Sequence, residues 1–231
     1  MRKLGLIGGM SWVSTQRYYN RINTVVQRMR GAPASAPILV ESVDFSTVYR
    51  LQSKEDWERG TAVLVDSAKR LADAGAGMII IGANSMHKAY RDVQAAVDID
   101  VLHIAECVGR RLKADRIERA ALIGTRNVMT ESFYRRRLVA HDVDLLPPEM
   151  DDVEELDRII YEELMVGNAR KDSERSLRTM FTGYERNGAQ AVVLACTELE
   201  MIVDVDANVL PIYDCMRIHA DAAAQWIMSG D

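Results

Sequence analysis

Cys196 is the residue of this 231-residue chain whose type and setting best suit proton transfer. It closes an apolar run and is followed by Thr197 and Glu198. A thiol at a strand end, opening onto a helix N-terminus, is expected to have a lowered pKa and an available thiolate. The run around it occurs twice. Residues 188–200 read GAQAVVLACTELE and residues 75–87 read GAGMIIIGANSMH. Aligned on Gly188 and Gly75, Cys196 falls opposite Ala83. A second pair repeats in the same order: LGLIGGMS at 4–11 and AALIGTRN at 120–127, with Gly8 opposite Gly124. Two related halves are expected, one carrying a thiol where the other carries a methyl group. A symmetric two-thiol enzyme would need both.

The residues around these positions are small or polar. In open parallel sheets, ligands bind beyond the carboxyl ends of the strands. Here those ends are Gly8-Gly9-Met10-Ser11, Ala83-Asn84-Ser85, Gly124-Thr125-Arg126 and Cys196-Thr197-Glu198. Each is expected to precede a helix, whose free N–H groups attract carboxylates or phosphates. Met10, Ser11, Asn84, Ser85, Thr125, Thr197 and Glu198 are therefore the candidate substrate-binding residues. Gln52 and Arg126 point to a polar or acidic substrate side chain. His87, four residues after Ala83, and His219, five after Asp214, could each exchange a proton near neutral pH or serve as core histidines. Cys107 reads as core or helix surface, and Cys215 follows Asp214 at another strand end. GLIGGMS is not GxGxxG and no GxxxxGK[ST] occurs, so nucleotide binding has little support.

The elements that must hold these loops follow from periodicity. Leu4–Ile7, Met78–Ile81, Ala121–Ile123 and Val192–Ala195 are short continuous apolar runs, as parallel strands buried on both faces require. Ile38–Val40, Val101–Ile104 and Val209–Ile212 add further strands. Between them, helical spacing marks Thr15–Met29, Trp57–Ala74, Glu131–Val139, Val153–Val166, Ser173–Asn187 and Asp214–Met228. Alternating strands and helices predict an α/β protein of two pseudo-symmetric lobes, each a parallel sheet flanked by helices, with the active site in the interlobe cleft. Residues 1–115 plus 209–231 are expected to form the first lobe and 116–208 the second.

Net charge is −5, so the protein's field gives no attraction for nucleic acid or an anionic membrane. No stretch reaches the length of a membrane span, and no signal-peptide core follows the N-terminus, so a cytoplasmic protein is expected. Three cysteines without CxxC spacing and four scattered histidines without HExxH predict neither disulfide nor metal site.

At these loops the chain resembles the aspartate/glutamate racemase family, in particular the amino-acid racemases that begin GGMSWxST. The signature here is Gly8-Gly9-Met10-Ser11-Trp12-Val13-Ser14-Thr15. Further matches are Val43-Asp44-Phe45, Leu51-Gln52, Asn84 through Lys88, Leu102-His103-Ile104-Ala105, Leu122 through Arg126, Phe133-Tyr134, Cys196-Thr197-Glu198 and Asp214 through Ala220. The resemblance implies PLP-independent, cofactor-free chemistry at the α-carbon of an amino acid or related dicarboxylate, in a homodimer. Two acid/base groups would flank that carbon, at Ala83 and Cys196. Ala83 is the position of the missing partner, so activity is expected to be weak or one-sided. The alternatives are a single-thiol lyase or decarboxylase, an impaired binder of an acidic metabolite, and an engineered replacement at position 83.

Overall fold

Every residue of the segment Leu4–Gly8 is buried, and it forms the first strand, β1, of the computed structural model, which describes residues 1–204 and 208–230. Helix α1 (Trp12–Arg30) follows, starting at Ser11, whose hydroxyl accepts the Ser14 N–H. Strand β2 (Ile38–Ser42), helix α2 (Lys54–Asp73), strand β3 (Met78–Ile81), helix α3 (Tyr90–Ala95) and strand β4 (Asp100–Leu102) complete the first sheet. Its order is β2-β1-β3-β4, all parallel.

The second sheet repeats this plan. After helix α4 (Ile104–Ala114) come β5 (Arg119–Gly124), α5 (Arg126–Thr130), α6 (Ser132–Val139), β6 (Asp144–Leu145), α7 (Met150–Arg158) and α8 (Lys171–Arg186). Strands β7 (Ala191–Ala195) and β8 (Ile212–Asp214) and helix α9 (Cys215–Met228) close the chain. The order is β6-β5-β7-β8, again all parallel, and so the same as in the first sheet.

Register matches the repeat. Ile7 pairs with Ile81, and the Gly82 N–H reaches the Ile7 carbonyl at 2.8 Å. Gly124 pairs with Ala195. Just past β3 and β7 stand Ala83 and Cys196, each beside the end of its sheet's first strand. The sequence alignment of these two positions is thus also a structural one.

The apolar runs work as expected. Met78–Ile81 is wholly buried, and each such side chain contributes about 1.5–3 kcal/mol relative to exposure. Helix α2 begins at Lys54, three residues before the expected start. A capping box sets that start: Ser53 accepts the Asp56 N–H, and Asp56 accepts the Ser53 N–H. The buried face of α1 is Ser14, Tyr18, Ile22 and Val26, while Met29 near its end is 55% exposed. The expected helix over Val153–Val166 is α up to Arg158, a π turn over Ile159–Glu163, then a 3-10 turn over Leu164–Val166. Glu163, buried in the π turn, accepts from Arg158 at 2.6 Å and from Ser173 at 2.5 Å.

The chain divides into two compact units: Met1–Ile104 with His219–Asp231, and Ala105–Ile218. Two expected boundaries move. The sequence places residues from about 209 in the first lobe, but β8 pairs with β7 through Val192↔Ile212 and belongs to the second sheet. Only the stretch from His219 onward groups with the first unit. Helix α4, also expected in the first lobe, groups with the second from Ala105 onward. Its side chains bind there: Glu106 to Arg137 and His141, Lys113 to Asp142, and the residue just past it, Asp115, to Tyr213.

Candidate active site

β1 and β3 are the central pair of the first sheet, where helices leave in opposite directions and a doubly wound sheet opens at its carboxyl edge. At the end of β1 the chain turns through Gly9, with φ at +84°, and a Cβ there would run into the Val43 carbonyl oxygen. Only glycine satisfies both demands. The Gly9 N–H donates to Thr15 Oγ1 at 2.7 Å, and the Thr15 hydroxyl donates to the Ser11 carbonyl at 2.9 Å. GGMSWxST is therefore a folded unit, with Thr15 on α1 stapling the loop that Ser11 ends. Met10 is buried within it.

At the end of β3 lie Ala83, the buried Asn84, and a 3-10 turn over Ser85–Ala89. His87 sits in that turn, 1% exposed. The Ile104 N–H donates to its Nε2 at 3.2 Å, so Nε2 is the bare nitrogen. Nδ1 then carries the proton and donates to the Ala83 carbonyl at 2.9 Å. His219 is fully buried and has the opposite tautomer. Its Nε2 donates to the Leu102 carbonyl at 3.0 Å, and the Tyr18 hydroxyl donates to its Nδ1 at 3.0 Å. Burial, followed by neighbouring His87, pushes the His219 pKa down to about 3, so the ring is neutral in ordinary buffers. Both histidines offered as acid/base candidates thus have both ring nitrogens committed to the protein.

The second unit carries the thiol. Cys196 follows β7, is 6% exposed, and opens a 3-10 turn over Thr197–Met201. Its Sγ donates to Glu198 Oε2 at 3.2 Å, and the Thr197 hydroxyl donates to the same oxygen at 2.9 Å. The expected fall in thiol pKa is not found; it is raised well above normal. Burial is the main cause, then the Glu198 charge and the hydrogen bond to it. Backbone N–H groups of Glu198 and Leu199 pull the other way and lose. A five-residue 3-10 turn supplies little dipole, and a carboxylate at contact distance outweighs it.

Thr125 follows β5, whose last residue, Gly124, pairs with Ala195, the residue before Cys196. Its hydroxyl is buried and finds no hydrogen-bond partner among the described residues. An orphaned buried hydroxyl costs about 1–3 kcal/mol and marks a place where a ligand group would be welcome. Arg126 is differently engaged: its N–H donates to Asp157 Oδ1 at 3.1 Å, and its guanidinium lies 3.9 Å from Glu154. Gln52 is exposed, and its N–H contacts Asp56 at the start of α2. Glu198, expected to help hold substrate carboxylates, instead presents a negative charge already shared by Cys196 and Thr197. Cys215 is buried, accepts from the Tyr134 hydroxyl at 3.1 Å, and has its pKa raised by burial.

Sequence reasoning misses Tyr18 as the partner of His219, and the packing of His103 against His87 at 4.5 Å and Tyr90 at 4.8 Å. The aromatic and imidazole clustering has no periodic signature. Among the described residues, no group of three or more His, Cys, Asp or Glu could hold a metal ion. No helix among them is long and apolar enough to cross a membrane.

Comparison with known proteins agrees with this arrangement. The model of the Asp/Glu/Hydantoin racemase family matches residues 7–223. A broad specificity amino-acid racemase of Bacillus subtilis is 20% identical over 214 residues, covering 91% of this chain and 92% of that protein. A crystal structure of a candidate Asp/Glu racemase from Yersinia pestis superposes with a TM-score of 0.92 at 39% identity, covering 99% of this chain and 100% of that one. An aspartate racemase homologue from Pyrococcus horikoshii superposes with a TM-score of 0.83 at 30% identity, with 99% and 100% coverage.

Proposed function

Because the chain belongs to the Asp/Glu/Hydantoin racemase family, we propose that it racemises small amino acids of the aspartate and glutamate class without a cofactor, with Cys196 as its acid/base. The observation that carries this reading is the Cys196–Glu198 pair at 3.2 Å, just past the strand adjacent to the one that ends before the unpartnered Thr125 hydroxyl. A thiol whose pKa is raised is a poor base as it stands. Paired with a carboxylate, it can pass its proton to Glu198, which leaves a thiolate and a neutral carboxylic acid with no change in net charge. The thiolate then takes the substrate α-proton: the C–H bond breaks, an S–H bond forms, and the electron pair is held in the substrate carboxylate. A hydroxyl such as that of Thr125 can donate to that carboxylate as its negative charge grows.

Reprotonation on the opposite face needs a second acid. Position 83 carries a methyl group, and with His87 committed to the protein the remaining donors are the Ser85 hydroxyl and water. A well-placed general acid contributes about 10²–10⁴-fold, so racemisation is slow and α-proton exchange on the Cys196 side outpaces inversion.

The test is incubation of D- and L-aspartate and glutamate in deuterated water, followed by NMR and chiral chromatography. Deuterium should enter the α-position faster than the enantiomer appears. Cys196→Ala should abolish both, and Ala83→Cys should raise inversion by adding a second acid/base. Release of CO₂ or of an unsaturated product would sink the reading in favour of a lyase. Binding without exchange would leave only a binder.

A further inference from the structure

His87 and His219 take no part in the chemistry above, yet both are buried, polar and fully hydrogen-bonded. Their bonds form a chain with one direction. The Tyr18 hydroxyl donates to His219 Nδ1, and His219 Nε2 donates to the Leu102 carbonyl. Two residues on, the Ile104 N–H donates to His87 Nε2, and His87 Nδ1 donates to the Ala83 carbonyl. We propose that His87 and His219 are positioning residues: this chain ties α1, the strand end at Leu102–Ile104 and α9 to the backbone of residue 83, and so fixes where a group at position 83 stands.

Three observations support this. First, the end of the chain is the carbonyl of residue 83 itself, the position that the internal repeat matches to Cys196. Second, its beginning is Tyr18, one helical turn beyond the residues Ser14 and Thr15 that bind the first-sheet loop; the chain therefore couples the two loops that end β1 and β3. Third, the tautomers are forced. Reversing His87 would set its Nε2–H against the Ile104 N–H and its bare Nδ1 against the Ala83 oxygen. A buried N–H and a part-buried carbonyl would lose their partner together, a state that folded proteins almost always avoid. His103 packs against the His87 ring and Tyr90 against His103, which restricts rotation of both imidazoles. For the same reason neither histidine can exchange a proton with substrate, because each nitrogen would first have to release its backbone or tyrosine partner.

The kinetic part of this proposal rests on the racemase reading, but its spectroscopic part does not. Imidazole ¹⁵N–¹H correlation spectra of the intact protein should show His87 protonated at Nδ1 and His219 at Nε2. A His87 that carries its proton on Nε2 overturns the proposal whatever the enzyme does. In the Ala83→Cys background, His87→Leu should lower kcat by about tenfold or more with KM within about twofold, since small misplacements of an acid/base are costly. His87→Asn, whose amide can still donate to the carbonyl of residue 83, should recover most of that loss, which a purely structural role would not predict. Should His87→Leu fail to fold, Tyr18→Phe removes only the first donor and should lower kcat by about two- to fivefold. A folded protein carrying Ala83→Cys that keeps its full rate without His87 or the Tyr18 hydroxyl overturns the proposal. If Ala83→Cys alone adds no inversion, it is the racemase reading that fails, and the tautomers then decide the positioning claim by themselves.

Discussion

Replacing Glu198 by Gln should make Cys196 more acidic. The carboxylate oxygen lies 3.2 Å from the sulfur. At that distance two unit charges repel by about 1 kcal/mol with water-like screening and by about 5 kcal/mol at an effective dielectric near 20. One pKa unit is about 1.4 kcal/mol, so the range is roughly one to four units. Cys196 is buried and Glu198 only partly so, which places the expectation near the middle, at about two units. Glutamine keeps an acceptor for the Thr197 hydroxyl and can donate an N–H to the thiolate, which acts in the same direction. The assay is the pH dependence of iodoacetamide alkylation, resolved by peptide mapping. Cys107 and Cys215 are buried with raised pKa values and provide internal controls. The midpoint at Cys196 should fall by about two pH units. α-Deuterium exchange should lose its internal proton acceptor and become proportional to hydroxide concentration below the new midpoint. A midpoint that stays in place or rises would refute the pairing of Glu198 with the thiol.

Two further outcomes are expected. Gly9→Ala should destabilise the protein by at least about 2 kcal/mol in urea unfolding, because a side chain at φ +84° is strained and its Cβ meets the Val43 carbonyl. His219 has a folded pKa depressed to about 3, so its contribution to stability is fully present above its unfolded value of about 6.5 and is lost as pH falls toward 3. Between about pH 6 and about pH 4 the stability advantage of the native protein over His219→Gln should therefore shrink by about 1.4 kcal/mol per pH unit, measured by denaturant unfolding at each pH. A constant difference across that range would mean that burial does not hold His219 neutral.

The strands are legible in the sequence because burial on both faces leaves an unbroken apolar run, and Leu4–Gly8, Met78–Ile81 and Ala191–Ala195 all show it. The match of Ala83 to Cys196 is legible for a related reason: the repeat preserves register, and register fixes which residue follows the strand end. A strand near Val209–Ile212 is legible, though it lies at Ile212–Asp214, but the sheet it joins is not, because the residues of an edge strand do not name their neighbour. Only the hydrogen-bonded pairing of Ile212–Asp214 with Val192–Leu194 does so. The acidity of Cys196 is misread because the sequence shows Glu198 two residues away but not the fold of its side chain back onto the sulfur. The roles of His87 and His219 are out of reach because their partners at Ala83, Leu102 and Ile104 are backbone groups, which every residue carries and no sequence distinguishes.

The division of the chain also orders its synthesis. The second unit, Ala105–Ile218, is one continuous stretch and can complete its packing as soon as it leaves the ribosome. The first unit cannot, although it is made first. Its interior includes His219, bonded to Tyr18 and Leu102, and nearer the surface Asp221 binds Arg21. Between Ile104 and His219 lie the 114 residues of Ala105–Ile218, counted as 218 minus 104, which at about 5–20 residues per second take roughly 6–23 s to translate. For that interval the nascent first unit holds an unfilled seat for α9. Tyr18 and the Leu102 carbonyl at the end of β4 wait without their His219 partner, and a chaperone that shields unfinished surface would find its substrate there until α9 is made.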